Sequence, residues 1–71
     1  MPNSVYKIIE LVGTSADSWE EAAKNAISTA AKSLKDLRIA EVVKQDIVIE
    51  EGKPIIYRTK VSLSFKYHTN E

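Results

Sequence analysis

In the segment "WEEAAKNAISTAAKSL" (19–34), Trp19, Ala22, Ala23, Ala26, Ile27, Ala30, Ala31 and Leu34 follow one another in alternating steps of three and one. That rhythm keeps one face of an α-helix apolar from end to end. It occurs once in the chain, so the fold has to bury a single helix against strands. The stripe is mostly alanine, so the helix axis can lie close to whatever it covers, with Trp19 and Leu34 filling the two ends. "GTSADS" (13–18) breaks the preceding strand, and Ser15 or Ser18 caps the helix. Ser18 with Glu21 has the spacing of a capping box.

Three strands flank this helix. "VYKIIELV" (5–12) is β-branched and aromatic, and predicts the first. "LRIAEVVKQDIVI" (37–49), extending to about Glu50, predicts the second. Its odd positions hold Leu37, Ile39, Glu41, Val43, Gln45 and Ile47, and its even positions Arg38, Ala40, Val42, Lys44, Asp46 and Val48. A half-buried strand separates apolar from polar at period two, yet here both faces carry apolar side chains and charges. "EEGK" (50–53) is a turn in which Gly52 supplies positive φ. "PIIYRTKVSLSFKY" (54–67) is the third strand, with Pro54 tolerated at its first position. It does separate its faces: Ile55, Tyr57, Thr59, Val61, Leu63, Phe65 and Tyr67 against Arg58, Lys60, Ser62, Ser64 and Lys66.

The expected fold class is therefore α+β, in the order β-α-β-β, as one domain over residues 1–71. Strands two and three form an antiparallel hairpin, strand one pairs with one of them, and the three-stranded antiparallel sheet wraps around the helix. A helix of about 25–30 Å cannot cover a strand of about 45 Å. Apolar surface is left over, and on a small protein that marks an interface. A second copy of the chain is the expected cover.

At 71 residues a single core is marginal, and the chain has no cysteine to staple it. One histidine, His68, excludes a nitrogen-rich zinc site within one chain. Ten basic and ten acidic residues leave a formal net charge of zero, which argues against a nucleic-acid module. There is no run of the length of a membrane span and no export-signal pattern at the N-terminus, so a cytoplasmic location is expected.

The candidate chemistry is sparse. "VGTSADSWEEA" has the first glycine of a phosphate loop and none of the rest, so helix capping is the expected role, with a ligand phosphate at the helix N-terminus as the alternative. Trp19 belongs to the alanine stripe and reads as core or interface. His68 reads as a solvated tail residue. Asp46, Glu50 and Glu51 flank the turn and are candidates for a calcium ion, though they lack EF-hand spacing and also suit a solvated hairpin end. No carboxylate dyad and no nucleophile–base–orienter set is present, so the chain is not expected to be an enzyme.

From Val5 to Tyr67, "VYKIIELVGTSADSWEEAAKNAI", "RIAEVVKQD" and "YRTKVSLSFKY" resemble the dodecins. The resemblance implies the β-α-β-β fold assembled as a hollow homododecamer, with flavin (FMN or riboflavin) held between subunits for storage or buffering. It places ligand contacts at Arg38, Ile39, Glu41, Lys44, Gln45 and Arg58. Flavin-binding members stack the ring on a tryptophan directly before the A-E-V-V-type segment, where this chain has Ile39. They use a strand-three glutamine where this chain has Arg58, and some use an acidic residue where it has Lys44. The chain is thus similar to the subgroup that keeps the shell without the flavin clamp, a subgroup associated with calcium. The expected function is a non-enzymatic shell that binds or sequesters a small ligand. Flavin is the family default, although Arg58 and Lys44 beside Ile39 suit an anionic ligand better than a neutral ring. The alternatives are a calcium or other cation-binding assembly, or a purely structural particle.

Overall fold

The structure is a computed structural model that describes residues 4–67, so His68 lies outside the described residues. Its elements are β1 (Tyr6–Ser15), α1 (Trp19–Ala31), β2 (Leu37–Val48) and β3 (Ile56–Lys66). The sheet order is β1-β3-β2, and both pairings are antiparallel. The most regularly alternating strand therefore takes the centre. Thr59, Val61 and Leu63 of β3 are buried beneath α1, and Ala22, Ala26 and Ala30 are the helix residues that meet the sheet. Ile9, Leu11, Ala23, Ile27, Leu34 and Leu37 pack around this centre.

Several boundaries differ from the sequence expectation: β1 starts at Tyr6, β2 ends at Val48 and not near Glu50, β3 ends at Lys66, and three larger differences follow. Residues 13–15 do not break the first strand; β1 runs on to Ser15. Gly13 lies under the helix, where a Cβ would collide with the carbonyl oxygen of Ala22 and stand 3.0 Å from the Ala26 Cβ. The glycine is there to let two backbones touch. The helix stops at Ala31, three residues short of Leu34. Its end tightens as Lys32 N donates to Thr29 O at 3.3 Å and Ser33 N to Ala30 O at 3.1 Å. Asp36 then takes a left-handed φ of 61° and turns the chain into β2, a conformation aspartate tolerates better than most residues. Leu34 still packs on the core, so its place in the stripe reflected burial and not helicity. Finally, Pro54 and Ile55 precede β3, while Gly52 has the expected positive φ of 78°.

Ser18 is the N-cap, its Oγ accepting from Glu21 N at 3.0 Å. The Ser18 amide itself donates to Ser15 Oγ at 3.4 Å. Ser15 thus takes the part that the capping box gave to Glu21.

The mixed pattern of β2 has a geometric origin. Its register against β3 shifts between Leu37 and Ile39 and again between Val42 and Lys44. Each shift inserts one extra residue and reverses the parity of the faces beyond it. Residues paired across antiparallel strands share a face. The helix side of β2 is accordingly Leu37, Ala40, Val42, Gln45 and Ile47, and the outer side is Ile39, Glu41, Lys44, Asp46 and Val48. Arg38 and Val43 are the inserted residues. Sorting the faces does not bury them. The helix lies on β1 and β3 and barely reaches β2, so Val42 is 53% exposed although it faces the helix side. Ile39, Val43, Ile47 and Ile49 are exposed as well.

Candidate functional site

The outer face of the sheet, away from α1, is where most of the candidate residues gather. Reading across β1, β3 and β2, its rows are Thr14–Arg58–Asp46, Val12–Lys60–Lys44, Glu10–Ser62–Glu41 and Ile8–Ser64–Ile39. Apolar side chains lie at one end and an alternation of charges at the other. A cavity of about 190 Å³ opens at the charged end, lined by Val12, Lys44, Asp46, Arg58 and Lys60.

Arg58 and Asp46 form the best-defined polar contact of this face. Arg58 Nε donates to Asp46 Oδ1 at 2.7 Å and its terminal nitrogen to Oδ2 at 2.8 Å. This planar two-bond geometry is the strongest that a guanidinium and a carboxylate can adopt. The hydrogen bond to Arg58 holds the Asp46 carboxyl below its ordinary value, against a smaller opposing effect of desolvation. The same bond keeps the guanidinium yet more firmly protonated. The Asp46 backbone is fixed from the other side, where Trp19 Nε1 donates to its carbonyl at 3.1 Å. Thr59 Oγ1 in turn donates to the Trp19 carbonyl at 2.9 Å, and the indole meets the Tyr57 ring edge-on with centroids 5.0 Å apart. Trp19 is therefore a clamp between the helix N-terminus and the sheet, as its place in the stripe suggested.

These contacts rearrange the candidate residues. Arg58 is not beside Ile39: its row lies six β3 residues from that of Ile39, about 20 Å at ~3.3 Å per residue. One chain cannot present both to one flavin ring. Gln45 faces the helix side and leaves the group altogether, because the second bulge puts it opposite Thr59. Arg38 sits in the first bulge, without a β3 partner. Ile39, Glu41, Lys44 and Arg58 do share the outer face. Ile39 is 63% exposed there, flanked across Ser64 by the exposed Ile8.

The metal candidates are not brought together within one chain. Asp46 is engaged by Arg58, and Glu50 lies 3.6 Å from Lys53 Nζ in the hairpin turn. Glu51 stands exposed in the same turn. Among the described residues no group of three or more carboxylates, histidines or cysteines is placed to hold a metal ion. The sequence reading also missed Glu10 and Lys60, which pair at 3.3 Å on the outer face. Alternation in β3 pointed to Lys60, but only the β1–β3 register brings Glu10 to it.

A family model described as Dodecin matches residues 5–68. Calcium dodecin of Mycobacterium tuberculosis is 46% identical over 63 residues, 89% of each chain. The crystal structure of that protein, described as calcium chelating and as having a novel calcium-binding site, superposes with a TM-score of 0.86 at 43% identity, covering 96% of this chain and 97% of that one. The dodecin of Streptomyces coelicolor superposes with a TM-score of 0.89 at 31% identity, covering 99% of this chain and 100% of that one.

Proposed function

This chain belongs to the dodecin family, in its calcium-dodecin-like subgroup, and from that premise we propose that it is a non-enzymatic, shell-forming protein whose ligand is a cation, calcium first. The observation that carries this reading is the likeness to a calcium dodecin over nearly the whole of both chains. The outer face supports it by what it lacks for a flavin. Ile39 offers no aromatic face for stacking, and the Arg58 guanidinium is already spent on Asp46.

Assembly follows from β2. Ile39, Val42, Val43 and Ile47 are exposed on it, and α1, seated over β1 and β3, barely reaches them. In this reading other copies cover them, closing a homododecamer. Symmetry then supplies what one chain lacks, since a threefold axis triples each carboxylate near it. In this reading Glu41 and Glu51, exposed and in no ion pair among the described residues, are the donors offered by neighbouring copies, since Asp46 and Glu50 are paired within the chain.

Equilibrium dialysis against calcium, with the particle mass followed by light scattering, tests this. The particle is expected to retain calcium in fixed proportion to the chain, and to lose it when Val43→Glu separates the copies. A particle that holds no calcium but carries a flavin chromophore from its purification would restore the flavin reading. A stable wild-type monomer would remove both.

A further inference from the structure

We propose that the two ends of the chain are complementary, the β2–β3 hairpin tip of one copy docking in a cleft at the far end of the next. The proposal rests on the assembly read above and specifies one of its contacts. The molecule is 55 Å long and 20 Å across at its wider section, and its charges are sorted along that length. The register places Lys7, Arg38 and Lys66 at one end. The turn after α1 brings Lys32 and Lys35 to them, with Asp36 as the one acid there among the described residues. At the other end Trp19 ties the first turn of α1 to the Asp46 backbone. There the Asp46–Arg58 and Glu50–Lys53 pairs balance themselves, and Asp17, Glu20, Glu21 and Glu51 stand against Lys24. A chain of zero formal net charge is thus positive at one end and negative at the other.

The apolar residues are sorted to match. At the negative end the hairpin carries Ile49 and Ile55 past the last rung of its ladder, Val48–Ile56, and leaves Ile49 78% exposed. At the positive end a cavity of about 220 Å³ is lined by Val5, Tyr6, Lys7 and Tyr67. Lys7 Nζ stands 5.9 Å from the centre of the Tyr67 ring, which holds the ammonium group at this cleft. An apolar cavity of about 150 Å³ holds a benzene ring, so the cleft accepts an aliphatic side chain. An apolar knob among carboxylates and an apolar cleft among ammonium groups have the anatomy of an interface, dry at the centre and charged at the rim. Like ends repel, so the contact is head to tail. A contact of this kind closes into a ring when its rotation allows.

Light scattering of the full chain across a dilution series, at two salt concentrations, tests the contact. Wild-type assembly is expected to weaken as salt is raised. Ile49→Asp is expected to raise the concentration needed for assembly about tenfold or more. Two charge-reversed chains, Lys7→Glu with Lys66→Glu and Glu20→Lys with Glu21→Lys, are each expected to assemble poorly alone. Their equimolar mixture is expected to recover the wild-type particle, because every contact then pairs opposite charges again. Recovery on mixing requires that both chains fold, so misfolding cannot imitate it. An Ile49→Asp particle as stable as the wild type, or no recovery in the mixture, overturns the proposal and leaves the assembly reading standing. A stable wild-type monomer overturns both.

Discussion

Replacing Gly13 with alanine isolates the contact on which the helix–sheet packing depends. The change has two opposing consequences. Alanine restricts the unfolded chain and on that account stabilises by about 0.4–1 kcal/mol where the native backbone accepts it. The backbone of Gly13 is in a strand and outside the left-handed region, so this gain is available. Against it, the new Cβ meets the carbonyl oxygen of Ala22, with the Ala22 carbonyl carbon and the Ala26 Cβ both at 3.0 Å. The obstacle is helix backbone, which no rotamer change can remove. To relieve it α1 must lift from β1, and Ala22, Ala26 and Ala30, all nearly inaccessible, lose their contacts together. Overpacking of this kind costs about 1–3 kcal/mol and occasionally more, so the expected net loss is about 1–2 kcal/mol. Urea denaturation at one fixed protein concentration, followed by Trp19 fluorescence, measures it, the fixed concentration removing the effect of association. Gly52→Ala is the control: its φ of 78° opposes a side chain while no atom lies within 4 Å, so it should cost about 1 kcal/mol through backbone conformation alone. Pairing Gly13→Ala with Ala26→Gly should recover little, because the carbonyl remains. A Gly13→Ala protein as stable as the wild type, or full recovery in the pair, would refute the reasoning.

The Asp46–Arg58 pair predicts a pH dependence of definite sign. The hydrogen bond from Arg58 holds the folded-state pKa of Asp46 below the ordinary aspartate value, so the unfolded chain binds more protons there and stability rises with pH. The contribution is complete above the unfolded pKa and disappears as pH falls through the lowered folded value. Melting curves across the acid range should therefore be flatter for Asp46→Asn than for the wild type, and identical slopes would contradict this. Trp19→Phe removes the indole donor to the Asp46 carbonyl and should cost about 0.5–1.5 kcal/mol in chemical denaturation, the net worth of one hydrogen bond; an unchanged midpoint would show that the bond is idle. Val43→Glu should reduce the particle to smaller species in light scattering, because a charge buried between copies without a partner costs several kcal/mol. An intact particle would mean that this bulge faces water.

Much of the fold was legible because local pattern and global burial agree in α1 and β3. The alanine stripe names the residues that meet the sheet, and the alternation from Tyr57 to Phe65 places the central strand's buried side. Legibility failed where one residue serves two chemistries. Gly13 looks like a chain breaker, and nothing local distinguishes it from a glycine that admits a neighbouring backbone. Leu34 continues a helical rhythm after the helix has ended, because the turn that follows happens to deliver it to the same core. The site was less legible than the fold. Arg58 and Asp46 are twelve residues apart, and only the register of the hairpin, set by the bulges, joins them. Without that register, Gln45 and Lys44 are adjacent letters on one strand, and the sequence does not tell which of them faces the helix.

The two bulges also explain why β2 suits an edge that joins copies more than an edge that faces water. A regular twelve-residue strand with one apolar side would lay that side under a helix. Here the helix is too short, at about 20 Å, and is seated over β1 and β3. The parity reversals at Arg38 and Val43 gather Leu37, Ala40, Val42 and Ile47 on the helix side, mostly beyond the reach of α1, and leave Ile39 and Val48 beside the charges of the outer side. A bulge bends its strand and disturbs its ladder, which blunts indiscriminate strand addition along that edge. What remains is side-chain surface on two faces, able to meet neighbours from different directions. In the proposed assembly such a strand would meet more than one neighbouring copy, as every subunit of a closed shell must. The ligand chemistry then follows from the same register. Glu41 and Lys44 are placed on the outer side of this strand by the bulges.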